Sequence, residues 1–248
     1  MSYDEWKQQA GERFYGKLFN GKYLSLNDTI KNLQGSSDNS AETSKQKQKS
    51  ENKFEGKRPD NEPSFLRDFD YIGVPEDGTD IYKSINPNYR IEEGYDNNCV
   101  RCIGAEEMNW RGYDVEAMPY NDNDPVKQDG SSFWDIDMSH WNKDPYGFEI
   151  FETPDKVVNV LHNAFRKWGD GARAMMAVRW NDNTNHALFV RREGSKIIFE
   201  DTQSGKIWDP VRVIGQLSME ENTSFIMRID NRPFTENVKY IAKNREQK

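Results

Sequence analysis

The sequence has very little cysteine and histidine, and this scarcity limits the sites it can build. Two cysteines occur in 248 residues, three positions apart, so no disulfide framework is possible and a thiol kept free in a reducing compartment fits better. Only three histidines occur. A structural zinc site needs four ligands at characteristic spacing, which this chain does not offer, so neither a metal nor another cofactor is expected.

The chain also lacks long apolar runs and an excess of basic residues. No stretch approaches the length of a membrane span, and the first five residues lack the basic-then-apolar order of a signal peptide. The net charge is −8, whereas a nucleic-acid partner requires clustered Lys and Arg. These absences predict a chain synthesised as a soluble cytoplasmic protein, whose export would need a route other than a classical signal peptide.

Apolar residues make up only 35% of the chain, and they are unevenly distributed. Residues 1–34 are predicted as an N-terminal helical segment, with a helix over residues 2–18 that Ser2 can cap. Its apolar side chains recur at helical spacing: Trp6, Ala10, Phe14 and Leu18. Residues 35–64 have almost no apolar side chains and cannot offset their ordering entropy, so they are predicted as a disordered linker.

Residues 65–232 have the composition of a globular domain, and residues 233–248 are predicted as a polar tail. Helical periodicity and end signals predict helices over Val100–Arg111, from Thr153-Pro154 to Gly169, and from Asp209-Pro210. Period-two patterns predict strands over Tyr113–Ala117, Ala174–Trp180, His186–Arg191, Lys196–Glu200 and Ser224–Ile229. Helices and consecutive strands in this order are typical of an α+β fold. The long acidic and aromatic connection 119–153 is expected to shape a binding cleft.

Three residues in this predicted arrangement form a candidate nucleophile, base and orienting acid. Cys99 lies where a helix begins, and a helix N-terminus favours the thiolate. His186 begins one strand and Asp201 follows the next, with a turn at Gly194 between them. In such an antiparallel hairpin the two side chains come within cross-strand reach. Cys99, His186 and Asp201 are therefore predicted to converge as a catalytic triad.

Simpler explanations of the same residues remain open on this reasoning alone. A cysteine is often a small buried hydrophobic residue, and Cys102 is interpreted in this way. The Cys99-x-x-Cys102 spacing is also compatible with a redox motif or half of a metal site, although no thioredoxin-like context or further ligand pair accompanies it. His140, in a polar loop, and His162, in a helix, are interpreted as solvated or structural.

Several short motifs together resemble the papain-fold toxin (Tox-PL) domain over residues 83–230. The matching strings are Ile85-Asn86-Pro87, Asn98-Cys99-Val100-Arg101-Cys102, Ala105-Glu106, Arg111-Gly112-Tyr113-Asp114-Val115, Ala117-Met118-Pro119, Gly171-Ala172-Arg173, Asn185-His186-Ala187 and Phe199-Glu200-Asp201-Thr202-Gln203-Ser204-Gly205. The family includes protein-glutamine deaminases of bacterial effectors and polymorphic toxins. The resemblance implies a papain-like fold in which the helix that carries the cysteine packs on an antiparallel sheet.

The resemblance also implies roles for individual residues. Cys99 matches the nucleophile of the family, His186 its base and Asp201 its orienting acid, and Gln203 matches a supporting glutamine. Papain supplies an oxyanion donor from a glutamine shortly before its cysteine, but this chain has Glu93 in that neighbourhood. The backbone N–H of Cys99, together with a side-chain amide of Asn97 or Asn98, is the expected replacement.

The leading functional hypothesis is a deaminase of protein glutamine side chains, acting as a toxin or effector. The partner would then be a protein substrate, and an antibacterial toxin would also require an immunity protein in the producing cell. The negative charge and the acidic 119–153 connection suggest a partner with some basic surface. Two alternatives remain: a papain-like cysteine protease with the same triad, and a non-catalytic phage-associated structural or accessory module.

Overall fold

A computed structural model of the chain describes residues 17–19, 22–24, 54–76, 80–120, 149–151, 156–218 and 224–246. The strands are β1 Lys17–Phe19, β2 Lys22–Leu24, β3 Phe54–Glu55, β4 Val74–Pro75, β5 Val115–Ala117, β6 Glu149–Phe151, β7 Arg173–Arg179, β8 Asn185–Glu193, β9 Lys196–Asp201, β10 Lys206–Trp208, β11 Ser224–Arg228 and β12 Ala242–Asn244. The α-helices are α1 Cys99–Trp110, α2 Val157–Trp168 and α3 Pro210–Gly215. Short 3-10 helices span Ser64–Leu66, Ile81–Ser84 and Glu236–Tyr240.

A six-stranded antiparallel sheet forms the centre of the described domain. Its strand order is β10-β9-β8-β7-β11-β6, and the longest strands, β7 and β8, lie in the middle. Neighbouring residues of β8 alternate between the two faces: Phe189 packs in one hydrophobic core and Leu188 in the other. The predicted α+β arrangement of a helix packed on an antiparallel sheet is confirmed.

Helix α1 packs against one face of this sheet. Eleven of its twelve residues are buried, and Ile103 and Met108 contact the core that includes Phe189. The predicted helix is confirmed, and it ends before Gly112, whose φ of 98° favours glycine. A Cβ atom at Gly112 would also lie 2.7 Å from the Tyr71 ring, so a larger residue would not fit. A local glycine signal therefore sets the C-terminal end of α1, the helix that begins at Cys99.

Helix α2 covers the opposite face of the sheet. Its Leu161 and Phe165 pack with Leu188 and Phe199 in the second core. The described helix begins at Val157, whereas the predicted capping pair Thr153-Pro154 lies outside the described residues. The predicted short helix is confirmed as α3, where the Asp209 carboxylate caps the first turn by accepting from Val211 N–H at 2.7 Å.

Residues before the predicted boundary at residue 65 also contact the described domain. Strand β3 pairs with β4, and the buried Glu62 carboxylate accepts a hydrogen bond from the Tyr113 hydroxyl. Arg58 Nη1 contacts Glu62 at 2.7 Å, and its guanidinium donates to the carbonyls of Leu66 and Phe69. The side chains of residues 54–64 that contact the domain are polar, so the composition of this segment resembles that of a linker.

Part of the segment predicted as a polar tail, residues 233–248, packs against the described domain. Strand β12 pairs with β5, and Val238, Ile241 and Ala242 are buried in the core next to α1. The pairing partner lies more than a hundred residues earlier in the chain, so no local pattern indicates it. The C-terminal segment thus belongs to the domain.

Other predictions fall wholly or partly outside the described residues. The predicted N-terminal helix is not described over residues 2–16, and its last two residues instead lie in β1, which forms a hairpin with β2. Most of the predicted linker and residues 121–148 of the predicted cleft connection are outside the described ranges. In the parts of the chain that the structure describes, no helix has the length and apolarity needed to cross a membrane.

Candidate active site

Cys99 is the first residue of α1, as the sequence predicted. The preceding residue, Asn98, occupies the N-cap position, but its side chain makes no capping hydrogen bond to the first turn. The first-turn N–H groups and the helix dipole therefore favour negative charge at this end of α1. Cys99 is 7% exposed and lies in the same hydrophobic core as Ile103 and Met108.

His186 and Asp201 contact each other directly, and the hairpin explains why. Strands β8 and β9 pair with Phe189 opposite Glu200, and continuing this register places Asp201 beside Leu188. His186 lies two residues from Leu188 on the same face of β8, a diagonal position within reach across the strands. The observed distance from His186 Nε2 to Asp201 Oδ1 is 3.0 Å.

The structure also places the Cys99 side chain near His186, where it acts on the pKa of the imidazole. Because Asp201 occupies Nε2, Nδ1 is the ring nitrogen left for the thiol. Burial acts to lower the pKa of His186, but hydrogen bonds to Asp201 and Cys99 and their charges outweigh it and raise the pKa to about 10. With this pKa, the imidazole carries a proton at neutral pH.

Asp201 has a second partner that the sequence reasoning did not identify. Ser204 donates its hydroxyl to Asp201 Oδ2 and its backbone N–H to Oδ1 at 3.4 Å. Burial acts to raise the pKa of Asp201, but hydrogen bonds from His186 and Ser204 and the charge of His186 lower it below its ordinary value. Asp201 therefore stays ionised and oriented toward the imidazole. An Asp followed three residues later by Ser in a turn was the available local signal.

Two tryptophans adjoin the His186 ring, and sequence reasoning also missed them. Trp208, on β10, stacks on the imidazole at 5.7 Å between ring centroids, and Trp180 lies at 6.4 Å. These rings limit the access of water to the His186–Asp201 pair. No local motif indicates this contact, because the three residues meet only through the order of strands in the sheet.

The predicted supporting residues differ in burial: Asn98 and Gln203 are buried, whereas Asn97 is exposed. Asn98 is fully buried, and its amide donates to Asn86 Oδ1 at 3.1 Å and to the Met118 carbonyl at 3.0 Å. Its oxygen accepts from Asn86 Nδ2 at 3.2 Å and from Gln203 Nε2 at 3.3 Å. Both N–H bonds of Asn98 are therefore used inside the protein, so it does not suit the expected oxyanion role. Asn97 is exposed beside the start of α1.

Cys102 is fully buried and free, and its thiol donates to Asn98 Oδ1 at 3.3 Å. Burial, with the nearby Cys99, Asp201 and Glu106, raises the pKa of Cys102 well above its usual value, so the thiol is poorly nucleophilic. His162 lies on α2, and burial lowers its pKa. His140 is outside the described residues. Among the residues whose placement is described, no group of three or more His, Cys, Asp or Glu could hold a metal ion.

Comparison with protein families adds independent support for this region. Residues 97–206 match the family described as papain fold toxin 1, glutamine deamidase. The match begins just before Cys99 and includes His186 and Asp201. It confirms the resemblance to a papain-fold toxin domain and the papain-like fold expected from it. Neither a curated protein nor a solved structure gives a significant match to the chain.

Proposed function

We propose that the protein is a cysteine-dependent glutamine deamidase that converts a glutamine side chain of a target protein into glutamate and ammonia. The observation that carries this proposal is the contact of His186 with both Cys99 and Asp201. The match of residues 97–206 to a glutamine deamidase family supports the choice of reaction. An inert accessory module has no need of this arrangement.

In the first half of the reaction, the Cys99 thiolate attacks the carboxamide carbon and the carbonyl electrons move to the oxygen. His186 then donates its proton to the amide nitrogen, the C–N bond breaks and ammonia leaves. The product is a thioester between Cys99 and the substrate. A His186 that is protonated in the resting enzyme suits this step, because the leaving nitrogen needs a proton.

In the second half, His186 is neutral and accepts a proton from water as the water oxygen attacks the thioester. The C–S bond breaks, Cys99 leaves as a thiolate and the substrate becomes a glutamate. Asp201 keeps the imidazole oriented and stabilises its charged form in both halves. The backbone N–H of Cys99 and the exposed Asn97 amide are the groups proposed to stabilise the oxyanion.

The limited exposure of the site favours a carboxamide side chain over a peptide bond as the group attacked. Cys99 is 7% exposed, and the side chains of His186 and Asp201 are 12% and 6% exposed. A slim glutamine side chain can reach such a nucleophile end-on, whereas proteolysis requires room for an extended backbone on both sides. This exposure is the reason for ranking deamidation above the protease alternative.

The first experiment is ammonia release and intact-mass analysis after incubation with a cell extract or a panel of glutamine-rich proteins. Wild type should raise the mass of a substrate by about one dalton, and Cys99→Ala should not. Cys102→Ser is the matched control, because it removes the other thiol and keeps a hydroxyl donor for Asn98. Fragments instead of a mass gain would identify a protease, and neither change would favour the accessory module.

The toxin or effector role is a further part of the proposal. It predicts that production of the chain inside susceptible bacterial cells slows growth, and that Cys99→Ala does not. Equal growth inhibition by wild type and Cys99→Ala would contradict a toxic role based on catalysis.

A further inference from the structure

Two carboxyl groups outside the triad lie fully buried next to each other. Glu106 is on α1, seven residues after Cys99, and Glu200 is on β9, immediately before Asp201. Both residues are 0% exposed. Burying two adjacent acids is costly unless their oxygens are paired and their charge is reduced.

The hydrogen bonds of this pair leave two of its four oxygens without a donor. Glu200 Oε1 accepts from Arg191 Nε at 3.0 Å, and Glu106 Oε2 accepts from the Thr202 hydroxyl. The other two oxygens, Glu106 Oε1 and Glu200 Oε2, have no N–H or O–H partner among the described residues. Glu106 is hydrogen-bonded to Thr202, two residues after Glu200, so the two carboxyl groups lie close together, and the charge of Glu200 and the Trp110 side chain both act on Glu106. A single proton shared between Glu106 Oε1 and Glu200 Oε2 would supply the donor that these two oxygens lack.

The surrounding charges agree with one proton and one negative charge on the pair. Arg191 contacts Glu200, whereas Arg173, the next cation, is engaged by Glu107 at 2.7 and 2.9 Å. The other titratable groups whose charges act on the pair are Cys102 of α1, Tyr82 of the 3-10 helix Ile81–Ser84 and Glu193 of β8. Burial and the charge of Glu200 raise the pKa of Glu106 well above its ordinary value.

The partners of Glu106 flank a residue of the candidate triad. Glu200 precedes Asp201 and Thr202 follows it, so a single side chain on α1 contacts the chain on both sides of the orienting acid. Cys99 begins the same helix, two turns away. The contacts of Glu106 therefore connect the element that carries the nucleophile to the strand end that carries Asp201.

We propose that Glu106 is a positioning residue, whose protonated carboxyl group donates to Glu200 and holds Cys99 in register with His186 and Asp201. The inference deepens the proposed function, since it takes Cys99 as the nucleophile. Glu106 acts through its neighbours and does not touch the substrate.

Infrared spectroscopy of the whole protein tests the shared proton. Wild type at neutral pH should show the carbonyl band of a protonated carboxylic acid, shifted on exchange into D₂O, and Glu106→Gln should lack it. Glu107→Gln is the matched control: Glu107 is equally buried, but Arg111 and Arg173 pair with its carboxylate, so the band should remain. A missing band in wild type, or its persistence in Glu106→Gln, would overturn the proposal.

The rate of Cys99 alkylation by iodoacetamide, followed by mass spectrometry, tests the positioning. Glu106→Gln keeps an N–H donor for Glu200 and an oxygen for Thr202, so its rate should stay within about twofold of wild type. Glu106→Ala should lower the rate about 10- to 100-fold, because small displacements of reacting groups have effects of this size. Circular dichroism establishes that each variant is folded.

Unchanged alkylation in a folded Glu106→Ala variant would contradict a positioning role, and so would an equal loss in Glu106→Gln. If Glu106→Ala does not fold, the infrared band and the Glu106→Gln rate still decide. Neither measurement requires a glutamine substrate. The protein could deamidate nothing and still show the infrared band, with Glu106→Gln keeping the alkylation rate that Glu106→Ala loses. This result would disprove the proposed function and support the positioning role.

Discussion

At the scale of single residues, the charge state of His186 is the central property of the site. Its ring is hydrogen-bonded to Asp201 at 3.0 Å, and Asp201 together with Cys99 raises its pKa to about 10. In the proposed reaction, a protonated imidazole supplies the proton that the leaving ammonia needs. The role of Asp201 therefore extends from orienting the ring to setting its charge.

The substitution Asp201→Asn should lower the pKa of His186 toward its ordinary value of 6.5, because one hydrogen bond to an anion and its charge are lost. NMR titration of the histidine rings measures the change. His162 provides an internal control, since its lowered pKa arises from burial and from Arg166 and Arg192 and should not move. An unchanged pKa of His186 in the variant would contradict the role given to Asp201.

The same pair makes stability depend on pH, with a definite sign. Because the folded-state pKa of His186 is raised, its stabilising contribution is complete below about pH 6.5 and is lost as the pH rises through about 10. Asp201→Asn should flatten this decline in the free energy of unfolding. Denaturant titrations at several pH values in this range provide the measurement.

At the scale of elements, Asn98 joins the start of α1 to three other segments. Its buried side chain contacts Asn86, the Met118 carbonyl and Gln203, which lie before α1, after β5 and after β9. Such a network places the helix N-terminus relative to the loop that follows Asp201. This placement is what brings Cys99 within reach of His186.

Asn98→Ala should lower the free energy of unfolding by about 1–3 kcal/mol, because it leaves buried amide and carbonyl groups unpaired. Chemical denaturation measures the loss. Asn97→Ala is the matched control, because Asn97 is exposed and its removal should change stability by no more than about 0.5 kcal/mol.

Activity separates the two asparagines in a different way. If Asn97 stabilises the oxyanion as proposed, Asn97→Ala should lower kcat about 10²- to 10³-fold with little change in KM. An unchanged kcat would leave the backbone N–H of Cys99 as the proposed donor and would remove Asn97 from the site.

At the scale of the whole molecule, segments far apart in the sequence complete the domain around α1. Glu62, between β3 and β4, accepts from the Tyr113 hydroxyl, and burial together with Glu62 raises the pKa of that tyrosine. At the other end of the chain, Arg245 Nη2 donates to Asn109 Oδ1 at 3.0 Å. Both ends of the described domain thus contribute to holding the helix that carries Cys99.

Glu62→Ala should lower the free energy of unfolding by about 1–3 kcal/mol, because the Tyr113 hydroxyl and Arg58 lose a buried partner. Thermal or denaturant unfolding provides the test. Lys57→Ala in the same segment is the control: its ion pair with Asp60 is exposed and should contribute little. Equal effects of the two substitutions would contradict an ordered boundary at this segment.

Much of the fold was predictable because its signals are local. Helix α1 follows from apolar spacing and the glycine at 112, and the β8–β9 hairpin follows from two period-two runs around Gly194. The contacts of residues 54–64 and 233–246 were not predictable, because these segments attach through polar contacts and a distant strand pairing, which composition does not reveal.

The sequence by itself determined the order of Cys99, His186 and Asp201 and the elements that carry them. It also made the His186–Asp201 contact predictable, because one short turn joins their strands. Only the tertiary structure decided that Asn98 uses its amide internally and that Glu106 meets Thr202, 96 residues away. The physical reason is that such contacts depend on which buried groups find partners across the core. From its residue type alone, a glutamate is expected to be exposed to solvent. Burial of Glu106 becomes favourable only when the folded chain supplies its hydrogen-bond partners and a shared proton.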